Sequence, residues 1–183
     1  MTTLLVGLLA IVLLTTPAFG AASKQFLLPG TGVTFKDSGG NVVLPFAGVT
    51  SGSGRWSDRY DKQPLASPTG AMPYQWSWAC QITLNGTLTA GQTVEIYVAW
   101  SDGTNVDGNL PTTSGTLSSD RRRNLKLAGV VQVDLQGIGQ ASGTVILPLR
   151  YFQVAYWDGT NIPLSSTLNV SLCTFTPLNF EMQ

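Results

Sequence analysis

QWSWACQITL, residues Gln75 to Leu84, is the stretch on which the fold turns. Trp76, Trp78, Cys80, Ile82 and Leu84 recur at period two, and Gln75, Ser77, Gln81 and Thr83 alternate with them. Successive side chains of a strand point to opposite faces, so the pattern predicts a strand with one apolar face. Asn85-Gly86 then marks a tight turn.

The same period extends outward. Thr93–Trp100 sets Val94, Ile96 and Val98 against Glu95, Tyr97 and Ala99. Leu127–Leu135 groups Val131, Val133 and Leu135. Thr144–Tyr156 carries Val145, Leu147 and Leu149, with Pro148 demoting it to an edge or a bulge. Thr167–Phe175 groups Leu168, Val170 and Leu172, and weaker strands lie at Gln25–Leu28, Gly32–Lys36 and Asn41–Phe46. No long stretch beyond Ala22 holds a helical period. Residues 23–183 therefore read as an all-β single domain, an antiparallel sandwich or jelly-roll-like fold. Two long polar connections, Ser51–Met72 and Asp102–Arg123, interrupt it, and loops of that length are usually functional or ordered by a partner.

The chain has 183 residues, 10 Lys plus Arg and 10 Asp plus Glu, for a net charge of zero. Charged residues are 11% against about 25% in an average domain. The hydrophobic content is too high for a disordered chain, and a general nucleic-acid binder would carry excess positive charge. A neutral, charge-poor surface is poorly soluble unless partners cover it. Histidine is absent, which removes Ser-His-Asp and Cys-His nucleophiles and most zinc sites. Cys80 and Cys173 are 93 residues apart. They read as two buried free thiols in preference to one long-range disulfide.

Leu4–Leu14, LLVGLLAIVLL, is a continuous apolar run followed by small residues to Ala22. It is too short for a membrane helix of about 20 residues. Two readings stand: a cleaved secretory leader, or a retained apolar arm over residues 1–22 that packs on another subunit. The arm is preferred, because no Lys or Arg precedes the run.

Several constellations invite chemistry. Asp58 and Asp61 are a carboxylate pair of the kind glycoside hydrolysis uses, but Arg55, Arg59 and Lys62 beside them favour local ion pairs. Asp102, Asp107 and Asp158 are oxygen donors, yet the Asp102 loop does not match an EF-hand. Ala99–Asn105 echoes Ala155–Asn161, and two similar strand exits explain this better than a duplicated ligand site. Among Trp56, Tyr60, Tyr74, Trp76 and Trp78, the last two share the face of Cys80 and read as packing. Arg121-Arg122-Arg123 with Lys126 is the one charge cluster; it reads as a phosphate or acidic-group site, as a solvated loop-to-strand junction, or, in keeping with the low charge elsewhere, as an anchor for a neighbour's carboxylates. The expected partner interface is therefore Leu8, Leu9, Ile11, Leu13, Trp56, Arg121, Arg122 and Arg123, with no catalytic, metal or cofactor residues.

The strand Val94–Trp100, the Asp/Gly/Asn loop after it, Leu125–Val133, Ala141–Val145 leading to Arg150-Tyr151, and Leu172–Leu178 running to Glu181-Met182-Gln183 occur in a characteristic order. In that order the region from Tyr74 to Gln183 resembles small structural proteins of tailed bacteriophages, capsid cement or decoration proteins among them. The resemblance implies a β-sandwich that sits on the virion exterior and bridges major capsid subunits. It implies a homo-oligomer, dimer or trimer, with no enzymatic activity, no cofactor and neither nucleic acid nor membrane as partner. The alternatives are an exported carbohydrate- or surface-binding module, secreted or periplasmic, and a phage tail or fibre component.

Overall fold

Among the described residues, twelve strands stack in two layers around an aromatic interior. The computed structural model describes residues 25–62, 73–88 and 92–182. Leu8, Leu9, Ile11 and Leu13, with the expected arm or leader, lie outside those residues. The strands are β1 Gln25–Pro29, β2 Val33–Lys36, β3 Val42–Val43, β4 Gly54–Trp56, β5 Tyr60–Asp61 and β6 Gln75–Thr83. They continue with β7 Thr93–Ser101, β8 Gly115–Leu117, β9 Lys126–Gln132, β10 Ile138–Ile146, β11 Tyr151–Asp158 and β12 Leu172–Met182. A 3-10 turn at Asp107–Asn109 and a one-turn helix α1 at Ser119–Arg122 lie in the long connection between β7 and β9.

The first sheet runs β10-β6-β12-β2-β3, with β1 also on β12; the second runs β8-β4-β11-β7-β9, with β5 also on β11. All pairings are antiparallel except the short β2–β3 contact, which is parallel. The fold is a β-sandwich, as the alternation in β6 and β7 predicts. Trp76, Ile82, Ile96, Phe35, Phe152, Tyr156 and Phe175 are fully buried between the sheets. Phe152 is the hub, its ring 5.4–5.8 Å from those of Trp76, Tyr60, Phe35 and Phe175. Offset and edge-on aromatic contacts of this kind add about 0.5–1.5 kcal/mol per pair beyond area burial.

Four expectations are corrected. The two cysteines form a disulfide: Cys173 on β12 stands directly opposite Cys80 on β6, with Cα atoms 4.1 Å apart. Strand pairing removes the 93-residue separation, and the inward face of both strands turns the sulfurs toward each other. The Thr144–Tyr156 stretch is two strands, not one. It breaks around Pro148, after which the chain leaves β10 in the first sheet for β11 in the second. The Thr167–Val170 stretch is not a strand; Leu168 is exposed, and β12 begins at Leu172 with Cys173 and Phe175 inward. Leu135 does not join Val131 and Val133 inside, because it sits exposed in the β9–β10 turn.

That turn joins the two sheets at one flank. β9 is an edge of the second sheet and β10 an edge of the first. Trp78 fills the wedge between them. A Cβ at Gly129 on β9 would lie 2.3 Å from its ring, and one at Gly143 on β10 would lie 2.9 Å from its Nε1. Only glycine permits both strands to approach the indole.

Candidate partner-binding site

The outer face of the second sheet is apolar, so something must cover it. Tyr97, Ala99 and Ala155 point outward beside Trp56 and Leu117, and the β7–β9 connection brings Val106, Leu110 and Leu125 down on them. The chain thus orders its own long loop. β8 packs against Trp56 through Gly115, where a Cβ would sit 2.6 Å from the indole.

The arginine cluster closes this lid. Ser118 caps α1, its Oγ accepting the Arg121 N–H at 3.3 Å. One helical turn then aims consecutive arginines at two indoles. Arg121 lies over Trp56 at 5.2 Å and Arg122 over Trp157 at 4.5 Å. Arg122 also pairs with Glu95 on β7 at 3.1 Å, and Glu95 accepts the Tyr97 hydroxyl at 2.6 Å. Burial, and then that hydrogen bond, push the Tyr97 phenol up to about 12. The structure therefore brings Trp56, Arg121 and Arg122 together, but on one another. Trp56 is buried and donates Nε1–H to the Thr113 carbonyl. Arg123, the residue after α1, is exposed. Trp157 and Glu95, which complete the arrangement, carry no sequence signal of their own. Only the register of β11 with β7, Trp157 opposite Glu95, joins them.

The carboxylates are likewise structural. Asp61 makes a two-point pair with Arg150, at 2.9 and 2.7 Å. This corrects the expectation of pairing with its sequence neighbours: β5 pairs with β11 at Tyr151 opposite Asp61, which sets Arg150 beside it. Arg59 instead lies over the Tyr151 ring and donates to the Gly103 carbonyl. Lys62 is buried on the Pro73 and Leu147 carbonyls, and burial lowers its ammonium to about 8. Asp58 accepts the Ser114 N–H at 2.6 Å.

Asp102 accepts the N–H groups of Thr104 and Asn105, and the Asn105 bond first, then that of Thr104, lowers its pKa. Asp158 accepts the Thr160 N–H the same way, but burial raises its pKa. The repeated sequence is thus a repeated Asx turn. Gly103 takes the positive φ expected of such exits, at 110°, whereas Gly159 has no positive φ. Among the described residues, no group of three or more Asp, Glu or Cys is placed to hold a metal ion.

What remains open is the outer face of the first sheet. Registers across β10, β6 and β12 align Gln140-Gln81-Leu172, Ser142-Ala79-Thr174 and Thr144-Ser77-Thr176 in successive rows. Two adjoining shallow depressions of about 460 and 420 Å³ share Ala79, Ser142 and Thr174. All nine side chains are uncharged, and most are short. Hydroxyls and amides here offer donors and acceptors without the desolvation cost of ions. Nothing in the composition singled this face out, because Ser, Thr and Gln are equally common in turns. No known family model matches the chain, and no curated protein matches it in sequence.

Proposed function

We propose that the chain is a non-enzymatic virion structural protein, a capsid cement or decoration protein that docks on the major capsid lattice of a tailed bacteriophage. The observation that supports this reading is the open, uncharged face of β10, β6 and β12. A broad surface of small polar side chains suits docking on another protein, where buried charges would cost more than they return. Such a protein stabilises an assembled lattice by mass action, because it binds the assembled state alone. The test is co-sedimentation with particles stripped of the protein. Binding that is saturable, and lost when Ala79 and Ser142 become Glu, supports the reading. A protein that stays in the supernatant at all concentrations overturns it.

A second reading, an exported surface- or carbohydrate-binding module, is favoured by the Cys80–Cys173 disulfide. Disulfides persist in oxidising compartments and are rare in a reducing cytosol. Mass spectrometry of the native protein separates the two: a mature N-terminus after Gly20 or Ala22 supports export, and an intact Met1 counts against it.

A further inference from the structure

Asp158 is an acid buried without a base. It ends β11 on the inward side, in phase with Phe152, Val154 and Tyr156, and none of its surface is exposed. Its Oδ1 accepts the Thr160 N–H at 2.9 Å, and its Oδ2 has no hydrogen-bond partner among the described residues. No Lys or Arg occurs in residues 44–54, 92–94 or 156–171, apart from which few segments approach it. Arg59 and Arg150 lie over Tyr151, at the opposite end of β11. A carboxylate in such a place costs far more than a neutral carboxyl, so burial holds the proton on and raises the pKa.

The same residue is a joint in the backbone. Its N–H donates to the Ser53 carbonyl and its C=O accepts the Gly52 N–H, both at 2.9 Å. The Ser51 hydroxyl donates to the Thr160 carbonyl. Further on, the Leu164 N–H donates to the Val49 carbonyl at 2.9 Å and the Gly48 N–H to the Ser165 carbonyl at 3.0 Å. Segments 48–53 and 158–165 are thus tied together, with Val49 and Leu164 buried. We propose that the proton on Asp158 is the latch of this joint: a neutral carboxyl keeps the two segments together, and ionisation releases them and uncovers Val49 and Leu164. The inference does not depend on the virion reading. In the closed joint the carboxylate has one N–H donor and no cation, whereas in the opened joint water solvates it.

The other charges nearby are already engaged. Tyr156, two residues back on the same side, donates its hydroxyl to the Pro45 carbonyl, and its phenol senses Arg55, Asp37 and Asp158. Asp37 accepts the N–H groups of Phe46, Ala47 and Asn169, and Arg55 donates to the Gly54 carbonyl. On β7, Val94 stands opposite Asp158, and its neighbour Glu95 pairs with Arg122. None of these supplies a counter-charge to Asp158. The closed joint therefore holds the proton more tightly than the opened one. Its advantage is full below the ordinary aspartate value of about 3.9 and is lost as pH rises through the raised value of the closed state.

The test is hydrogen exchange of the full chain between about pH 4 and pH 8, with intrinsic base catalysis divided out. The amides to read are those of Gly52, Asp158 and Thr160. The reference is the Ser57 amide, which donates to the Val154 carbonyl in the middle of β11. The latch predicts that the opening constant of the joint rises about tenfold per pH unit until the closed carboxyl ionises and then levels off, while Ser57 stays level. Asp158→Asn keeps an acceptor for the Thr160 N–H and cannot ionise, so its joint should stay closed at every pH. Should that variant not fold, the carboxyl-carbon chemical shift of Asp158 in the native protein decides. Titration displaced upward supports the latch, and titration at about 3.9 overturns it. A level profile in the native joint, the same slope in Asp158→Asn, or the same slope at Ser57 also overturns it.

Discussion

Breaking the Cys80–Cys173 link is the sharpest perturbation the fold offers. The bond joins adjacent strands in the middle of the first sheet, so the β6–β12 backbone bonds survive its loss. The effect falls on the unfolded chain, which loses the constraint of a 93-residue loop. Loop-closure entropy for that length amounts to about 4.6 kcal/mol at 25 °C. A domain of this size shifts by about 2–4 °C per kcal/mol, so the expected fall in melting temperature is about 9–18 °C. The assay is calorimetry of oxidised protein and of protein reduced while unfolded and refolded under reductant, at pH 7. Reduction leaves both sulfurs in place, so no cavity confuses the comparison. The Cys80→Ala/Cys173→Ala variant should fall further, because it also removes buried volume. A shift under about 3 °C on full reduction, checked by thiol titration, would refute the entropic argument.

Gly143→Ala or Gly129→Ala drives a methyl into the Trp78 indole and should cost about 1–3 kcal/mol by chemical denaturation. Adding Trp78→Phe to either should recover part of the loss; no recovery would mean that the glycines matter for another reason. Arg122→Ala should cost no more than about 1 kcal/mol, because the guanidinium and its Glu95 partner are each about one-third exposed (29% and 32%). A double-mutant cycle with Glu95→Gln isolates the pair, and a coupling near zero would leave the Trp157 contact as the whole effect. The folded protein holds the Tyr97 proton more tightly than the unfolded chain does. That contribution is intact below pH 10 and is lost as pH rises to about 12. Tyr97→Phe should flatten this part of the stability–pH curve, and an unchanged curve would assign the alkaline loss elsewhere.

The sandwich was legible wherever large side chains alternate. In β6 and β7 the inward residues Trp76, Trp78, Ile82, Val94, Ile96 and Val98 are all apolar and all buried. β10 was half hidden for a physical reason. Its inward positions are Gly139, Ala141, Gly143 and Val145, small over most of the strand because Trp78, with Val131 and Val133, already fills that space. Hydrophobic periodicity cannot register a strand whose inner face is supplied by its neighbour. β4, β5 and β8 span two or three residues, too short for any period to show. For the site, Trp56 and the three arginines were each readable as interface candidates, one as an aromatic and the others as a charge cluster, but not as contacts of one another. Their mutual contact depends on the return of the β7–β9 connection across the sheet, which is a long-range fact. The disulfide was missed likewise: the inward phase of both cysteines was readable for β6 and misread by one residue for β12, where Leu172 drew the phase to the wrong face.

The strand order also sets a schedule for synthesis. β12 comes last among the described strands, yet it lies inside the first sheet, between β6 and β2, and also receives β1. Until it emerges from the ribosome, β2 and β6 have no common neighbour. Cys80 meanwhile has no partner, and Phe35 and Trp76 face an incomplete core. The second sheet can pair β4, β5, β7, β8, β9 and β11 earlier, since all of them precede residue 159. Before residues 172–182 are made, the chain therefore carries one nearly finished layer and one gap, and the Cys80–Cys173 bond can form only after that point.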